Sequence, residues 1–454
     1  MKKQIFTNRI FYHIYPLGMA GCPRHNNFKC NAGNFFEKFT PELDKLTELG
    51  INALYIGPLF ESTSHGYDTV DYYYIDRRLG NNLSFKKFCT ECHKRNIKVV
   101  VDTVFNHTGR DFFAFKDIQA KGENSIYKDW YTELDFTGKS SYQDNFNYQG
   151  WAGCMDLVKL NTDNTDVRNH LKGAVKFWIE EFDIDGLRLD AADVISKNFL
   201  SDLSSFCHSL KDNFFIFGEV VHGNYNDWAN EDSMDSVTNY QIYKALWSSL
   251  NDRNMFELSY NLDREFGDKG MYLYSPLYNF VDNHDVNRIA STVNNLNNLY
   301  LVYGLLFMIP GIPSIYYHSE YGIRGMRGQN DDIALRPAVP PFVPSYPAWA
   351  QPETDSMALY KTIQMFATIR KDNTAIQIGS YKTISTTNSS LIFMREYKDD
   401  CIIIMINADD KEQNINIQGY SGCYVDLITG ENITLQNKST IAISHNWIKI
   451  LKKC

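Results

Sequence analysis

The chain has 454 residues, of which 44% are hydrophobic and 22% charged, and its formal net charge is -9. This length implies one large domain of about 350 residues with insertions and a smaller one beside it, in an ordinary globular composition. The acidic balance argues against nucleic acids and anionic membranes as partners and leaves a neutral substrate as the simpler match.

The N-terminal stretch MKKQIFTNRIFYHIYP carries two lysines but no apolar run of leader length before Arg9, which argues against a signal peptide. The nine cysteines are scattered from Cys22 to Cys454 without framework spacing. They read as free thiols in a reducing compartment, so the expected location is the cytoplasm. The pair in CTECHK, Cys89 to Lys94, has no second pair at finger spacing and reads as helix surface, because a closed zinc site needs four ligands. The longest apolar candidate, YLVYGLLFMIPGIPSIYY, is interrupted by Pro310, Gly311 and Pro313, so no membrane span is expected.

Eight short apolar runs follow one another: 10–16, 51–60, 96–107, 184–190, 214–220, 235–240, 277–285 and 312–320. Near-continuous apolar strands suit a sheet buried on both faces, and intervening stretches such as FFEKFTPELDKLTELG and VRNHLKGAVKFWIEEF carry helical spacing. The alternation predicts an α/β fold, a parallel (β/α)8 TIM barrel over 1–106 and 166–373, with function at the C-terminal ends of its strands. After the third strand, residues 107–165 are rich in Phe, Tyr, Trp, Gly, Asn and Asp and read as a small loop-rich subdomain over the barrel mouth. Trp130 and Trp151 are its best candidates for sugar platforms, although burial in the subdomain's own core is the commoner fate of such rings. From 374 to 454 the pattern changes to alternating strands separated by polar turns, which predicts a C-terminal antiparallel β-sandwich.

The polar residues at the predicted strand ends form a set. Strand three ends in Asp102, Asn106 and His107, strand four in Arg188 and Asp190, strand five in Glu219, and strand seven in His284 and Asp285. Any one of them alone reads as a capped or salt-bridged rim residue; together on one rim they point to chemistry. Two close carboxylates can carry out retaining glycoside hydrolysis, one as nucleophile and the other as acid and then base. The acid must hold its proton near neutrality, which a neighbouring anion and an apolar strand end such as FIFGE favour. The nucleophile must stay ionised, and Arg188, two residues from Asp190 on the same strand face, favours its carboxylate form.

These residues resemble the α-amylase family of glycoside hydrolases, family 13. DTVFNH (102–107), GLRLD (186–190), FGEV (217–220), FVDNHD (280–285) and GIPSIYY (311–317) match its signature stretches in order and spacing. The resemblance implies that Asp190 is the nucleophile, Glu219 the general acid and base, and Asp285 the third carboxylate. Arg188, His107 and His284 would then surround the -1 sugar. SHGYDTVDYYYID (64–76) is similar to the family's strand-two loop, which implies that Tyr67 stacks under that sugar beside His65. DDIALRP (331–337) is similar to a later loop whose Asp332 and Arg336 contact sugars. Asn106 stands where many members ligate calcium, so calcium is a possible ion, and no other cofactor is implied.

YKDWY and MDLVKLNTDNTDV are most similar to the neopullulanase, cyclomaltodextrinase and maltogenic amylase branch. That branch carries an extra N-terminal β domain through which dimers form, whereas this sequence starts almost directly at strand one, so it leaves the oligomeric state open. Asp193 and Val194 replace the Lys-His that helps many α-amylases bind the +1 sugar, and His318 replaces the glycine of a Tyr-Tyr-Gly stretch. The expectation is a hydrolase of maltooligosaccharides, cyclodextrins or pullulan fragments. The alternative on the same machinery is a transglycosylase or a trehalose-forming isomerase.

Overall fold

The computed structural model describes residues 6–30, 32–329 and 331–454; Lys2 and Lys3 of the N-terminal stretch lie outside them. Eight parallel strands make the barrel: β1 (Phe11–Ile14), β2 (Ala53–Ile56), β3 (Lys98–Thr103), β4 (Gly186–Leu189), β5 (Phe215–Gly218), β6 (Ser236–Val237), β7 (Tyr278–Phe280) and β8 (Ile312–Tyr316). They pair in the spatial order β6-β5-β4-β3-β2-β1-β8-β7. A parallel bridge from Thr238 to Tyr278 closes the ring. Inside, Phe11, Tyr55, Val100, Phe217, Tyr278 and Ile312 form an apolar plug, with Phe217 stacked 4.5 Å from Tyr278. The barrel is therefore a packed core, and polar side chains gather only above the plug.

The outer ring consists of α1 (Glu42–Leu49), α2 (Asn82–Lys94), α3 (Thr165–Phe182), α4 (Lys197–Leu210), α5 (Tyr240–Asn251), α6 (Met255–Phe266), α7 (Asn298–Met308) and α8 (Ser356–Asp372). It departs from strict alternation. Among the described residues no α-helix joins β5 to β6, while β6 and β7 are separated by two. The stretch read as one helix, FFEKFTPELDKLTELG, forms two, Phe35–Phe39 and Glu42–Leu49, because Pro41 lacks the N–H that would carry the first into the second. Cys89 and Cys92 are buried on α2 rather than on its surface. No helix among the described residues is long and apolar enough to cross a membrane.

Between β3 and α3 the chain forms the helix Phe113–Lys121 and a small antiparallel sheet of His107–Gly109, Cys154–Lys159 and Gly150–Trp151. Beyond α8 come β9 (Ser380–Thr386), β10 (Ser390–Tyr397), β11 (Asp400–Asn407), β12 (Gln413–Gln418), β13 (Gly422–Asp426), β14 (Asn432–Leu435), β15 (Lys438–Ile443) and β16 (Trp447–Lys453). The sandwich is lopsided: six strands in the order β9-β10-β11-β16-β13-β14 face a two-stranded ribbon, β12-β15. Ile402, Ile404, Ile406, Ile448 and Ile450 join the barrel's outer core. Ile403, Met405 and Leu451 face the ribbon's Ile415 and Ile417. Burial on both faces explains the near-continuous apolar run CIIIMI in β11.

Candidate active site

The alternation of β4 aims Leu187 and Leu189 into the outer core and Arg188 and Asp190 toward the barrel axis. Arg188 is 2% exposed and joins three strand ends. Its Nη1 donates to Asp102 Oδ1 (2.8 Å) and Asp190 Oδ1 (3.0 Å), and its Nη2 donates to Glu219 Oε2 (2.6 Å). Asp102 Oδ2 in turn accepts from the hydroxyls of Tyr55 and Tyr67, each at 3.0 Å. Gly57 makes room for this carboxylate, since a Cβ there would stand 2.2 Å from that of Asp102. Ala191 turns the chain with φ +45°, a left-handed conformation unusual for alanine. The turn aims its N–H at Glu219 Oε2 (3.4 Å).

A second arc carries the strand-seven residues. Tyr67 stacks on His284 with ring centroids 5.6 Å apart, and its hydroxyl lies 2.5 Å from His284 Nε2. Since the Tyr67 proton goes to Asp102, His284 Nε2 donates to the Tyr67 oxygen; Asp285 Oδ2 stands 3.0 Å from the same nitrogen. Arg336 Nη2 donates to Asp285 Oδ1 and Asp332 Oδ2, both at 3.0 Å, and its Nε donates to the His284 carbonyl. The Arg336 guanidinium lies over the Tyr15 ring at 4.6 Å, and Tyr15 donates to the His65 carbonyl. His65 is half-buried, and its Nε2 stands 4.0 Å from Asp156. His107 is buried beneath Trp151 (5.7 Å between rings), and its Nε2 has no hydrogen-bond partner among the described residues.

Burial decides much of the electrostatics. It raises the Asp190 carboxyl well above the usual range; Arg188 opposes this but is shared among three acids, and the charge of Glu219 adds to the rise. Burial also pushes up on Asp285, but His284, Arg336 and Arg188 outweigh it and hold that carboxyl well below the usual range. Burial, then the neighbouring His65, pushes His107 down to about 3, so its ring is neutral. Arg188 favours the Asp190 carboxylate, as expected, but does not outweigh burial and the neighbouring acids. Three acids, Asp102, Asp190 and Glu219, share the one guanidinium of Arg188, so its charge does not offset the burial of Asp190.

The structure brings Asp190, Glu219, Asp285, Tyr67, His107, Arg188, His284, Asp332 and Arg336 together on one rim, with His65 at its edge. It adds residues without an assigned role in the sequence reading. Asp102 anchors Arg188. Tyr240, at the start of α5, donates to Glu219 Oε1 (3.2 Å) and accepts from Asn283 Nδ2. Trp130 is buried in the subdomain while Trp151 stays half-exposed beside His107. Asp193 and Val194 are exposed on the turn after the Asp190 strand. Asn106 gives its side-chain amide to His107 Nδ1 (3.2 Å) and its carbonyl to the Leu160 N–H. No group of three or more His, Cys, Asp or Glu among the described residues could hold a metal ion. Calcium at Asn106 would thus lack a cage of charged oxygens.

A family model described as the alpha amylase catalytic domain matches residues 36–374. A cyclomaltodextrinase of Thermoanaerobacter pseudethanolicus is 31% identical over 405 residues, covering 87% of this chain and 67% of its own. A maltogenic alpha-amylase of Bacillus acidopullulyticus is 30% identical over 472 residues, covering 98% and 77%. The solved structure of a cyclomaltodextrinase superposes with a TM-score of 0.85 at 26% identity, covering 99% of this chain and 78% of that one.

Proposed function

The chain belongs to the α-amylase family of glycoside hydrolases, and from that premise we propose that it hydrolyses α-1,4-glucosidic bonds of maltooligosaccharides and cyclodextrins with retention of configuration. The observation that carries the reading is the Arg188 guanidinium, which bridges Asp190 and Glu219 and so keeps the two carboxyl groups close. A double displacement needs such closeness, roughly 5 Å between nucleophile and acid. Asp190 attacks the anomeric carbon, forming a C1–O bond as the glycosidic C1–O bond breaks. Glu219 passes its proton to the leaving oxygen and afterwards takes one from the water that releases the sugar. In this step the proton belongs on Glu219, and Asp190 is the anion. A developing positive charge at C1 favours that arrangement, since it stabilises the Asp190 anion opposite.

Asp285, held as an anion, accepts sugar hydroxyls, Tyr67 supplies a flat face under the -1 ring, and His107 and His284 offer imidazole nitrogens at its edge. Arg336 positions Asp285 and Asp332. The exposed Asp193 and Val194 give a +1 sugar no cation, which favours short or cyclic substrates over long starch. The nine unbridged cysteines support a reducing, cytoplasmic setting.

The test is time-resolved product analysis with maltotriose, maltohexaose, β-cyclodextrin, pullulan and starch, with the anomer of the first product read by NMR and Asp190→Asn as control. Shorter α-anomeric sugars appearing faster from cyclodextrin than from starch are expected. An initial β-anomer overturns retention, and longer oligosaccharides or trehalose overturn water as the acceptor.

A further inference from the structure

A cavity of about 200 Å³ lies behind the first barrel strand, outside the wall that carries the catalytic rim. Along β1, Phe11 points into the barrel plug and His13 toward the rim, where its ring lies 4.1 Å from that of Tyr55 and 5.1 Å from that of His284. Tyr12 points the other way, into the outer core, and forms the floor of the cavity. Lys45 and Leu46 of α1, Glu320 and His318 from the turn after β8, and Tyr346 and Tyr360 complete the walls.

The lining is built by a chain of hydrogen bonds. The His318 N–H donates to the Tyr12 oxygen (2.9 Å), the Tyr12 hydroxyl donates to Glu320 Oε1 (2.8 Å), and His318 Nδ1 pairs with the Tyr346 hydroxyl (2.9 Å). His318, which replaces a glycine of the family pattern, thus serves this cavity rather than the rim. Glu320 is 2% exposed, yet its Oε2 is buried without a partner among the described residues. An orphaned buried oxygen on a residue that lines a cavity is a costly arrangement unless something in the cavity meets it.

The charge balance narrows the occupant. Burial pushes Glu320 up to about 8 and His318 down to about 3, so at neutral pH both are uncharged. Lys45 is paired with Glu42 at 2.9 Å. Among the described lining residues Lys45 and Glu42 offset each other's charge, so neither an anion nor a cation finds an unopposed partner there unless Glu320 ionises against its burial. Tyrosine rings beside a neutral carboxyl suit a small molecule that has hydroxyls on its edge and C–H bonds on its face.

We propose that this cavity is a second ligand site, separate from the catalytic rim, which takes a neutral polyhydroxyl molecule no larger than a monosaccharide, hydrogen-bonded to Glu320 Oε2 and packed on the surrounding tyrosines. Tyr12 and His13 are neighbours on one strand, so the occupant sits one residue from a ring of the rim.

Glucose is the probe. Crystals soaked in glucose are expected to show a sugar in this cavity with a hydroxyl on Glu320 Oε2. Calorimetric titration of the wild type is expected to show a binding event weakened about tenfold or more in Glu320→Leu, the loss of one hydrogen bond to a buried group. Glu320→Gln, which keeps a donor and an acceptor, retains it. Leu46→Trp, which puts a larger ring into the cavity and leaves the Glu320 side chain unchanged, abolishes it. Unchanged turnover of maltotriose in all three variants shows that they are folded and locates the effect away from the rim. Water alone in the cavity of soaked crystals overturns the proposal, as does wild-type glucose binding by Leu46→Trp. Binding of tetramethylammonium in place of glucose, lost in Glu320→Gln, overturns it in favour of an organic cation.

Discussion

Asp102→Asn is a near-isosteric change whose consequences follow from counting donors. Asp102 accepts from three: Arg188 on Oδ1, and the Tyr55 and Tyr67 hydroxyls on Oδ2. An amide has one oxygen, so its NH2 must face either Arg188 or both tyrosines, and at least one donor loses its acceptor in a buried site. A hydrogen bond to a charged group contributes about 1.5–3 kcal/mol, which corresponds to roughly a 10- to 150-fold loss in kcat if the misplacement is felt at Asp190. The charge of Arg188 is then divided between two acids instead of three and the Asp102 charge near Asp190 is gone, so the raised Asp190 carboxyl comes down. The acidic limb of the pH–rate profile, which follows ionisation of the nucleophile, is therefore expected to move to lower pH. The assay is steady-state hydrolysis of β-cyclodextrin from pH 4 to 9, with urea unfolding alongside, in which the midpoint should fall. A kcat within about twofold of wild type, with an unmoved acidic limb, would refute the assignment of Asp102 as the anchor of Arg188.

Asp190→Asn is expected to lower kcat by several orders of magnitude without lowering the urea midpoint, because it removes a charge that burial already disfavours; near-normal turnover would sink the nucleophile assignment. Arg336→Lys loses the link between Asp285 and Asp332 and should raise KM and lower kcat, together costing about tenfold or more in kcat/KM; unchanged constants with a maltotriose series would remove Arg336 from the site. Glu320 has its carboxyl raised from 4.5 to about 8 by burial, so the folded state holds its proton more tightly than the unfolded state does. Its contribution is fully present below pH 4.5 and is lost as pH rises toward 8, at about 1.4 kcal/mol per pH unit between. The wild type is expected to lose stability relative to Glu320→Gln across that window, and parallel stability curves would contradict this.

The positions of the rim acids were legible because each follows an apolar strand, and strand ends in a parallel barrel all meet at one face. What they touch was not legible, because contact depends on which strands are neighbours and how far each side chain reaches. Asp102 could be read as a rim acid, but its role as the anchor of Arg188 required knowing that β3 lies beside β4. Tyr240 opens a helix 21 residues after Glu219, with no periodic or spacing signal to tie the two together. The helix missing between β5 and β6 was invisible for a similar reason: polar residues such as NYNDWANEDS mark a loop but do not say that a helix is absent from the ring. Trp130 and Trp151 looked alike in sequence. Only the packing of Phe113 and Tyr127 around the first, and the edge strand that carries the second, separate a core ring from an available one.

The six-stranded C-terminal sheet places β16 between β11 and β13, although β16 follows every other strand of that sheet in the chain. During synthesis the sheet therefore cannot close until β16 has left the ribosome, and β11 waits with one edge unpaired. The face of α7 that meets the sheet, around Gly304 and its neighbour Ile448, waits with it. A nascent chain whose catalytic acids are already in place thus still exposes a helix apolar on every side and an open edge of isoleucines. A ribosome that stalls before β16 would leave a product with the full set of rim residues and a strong tendency to aggregate.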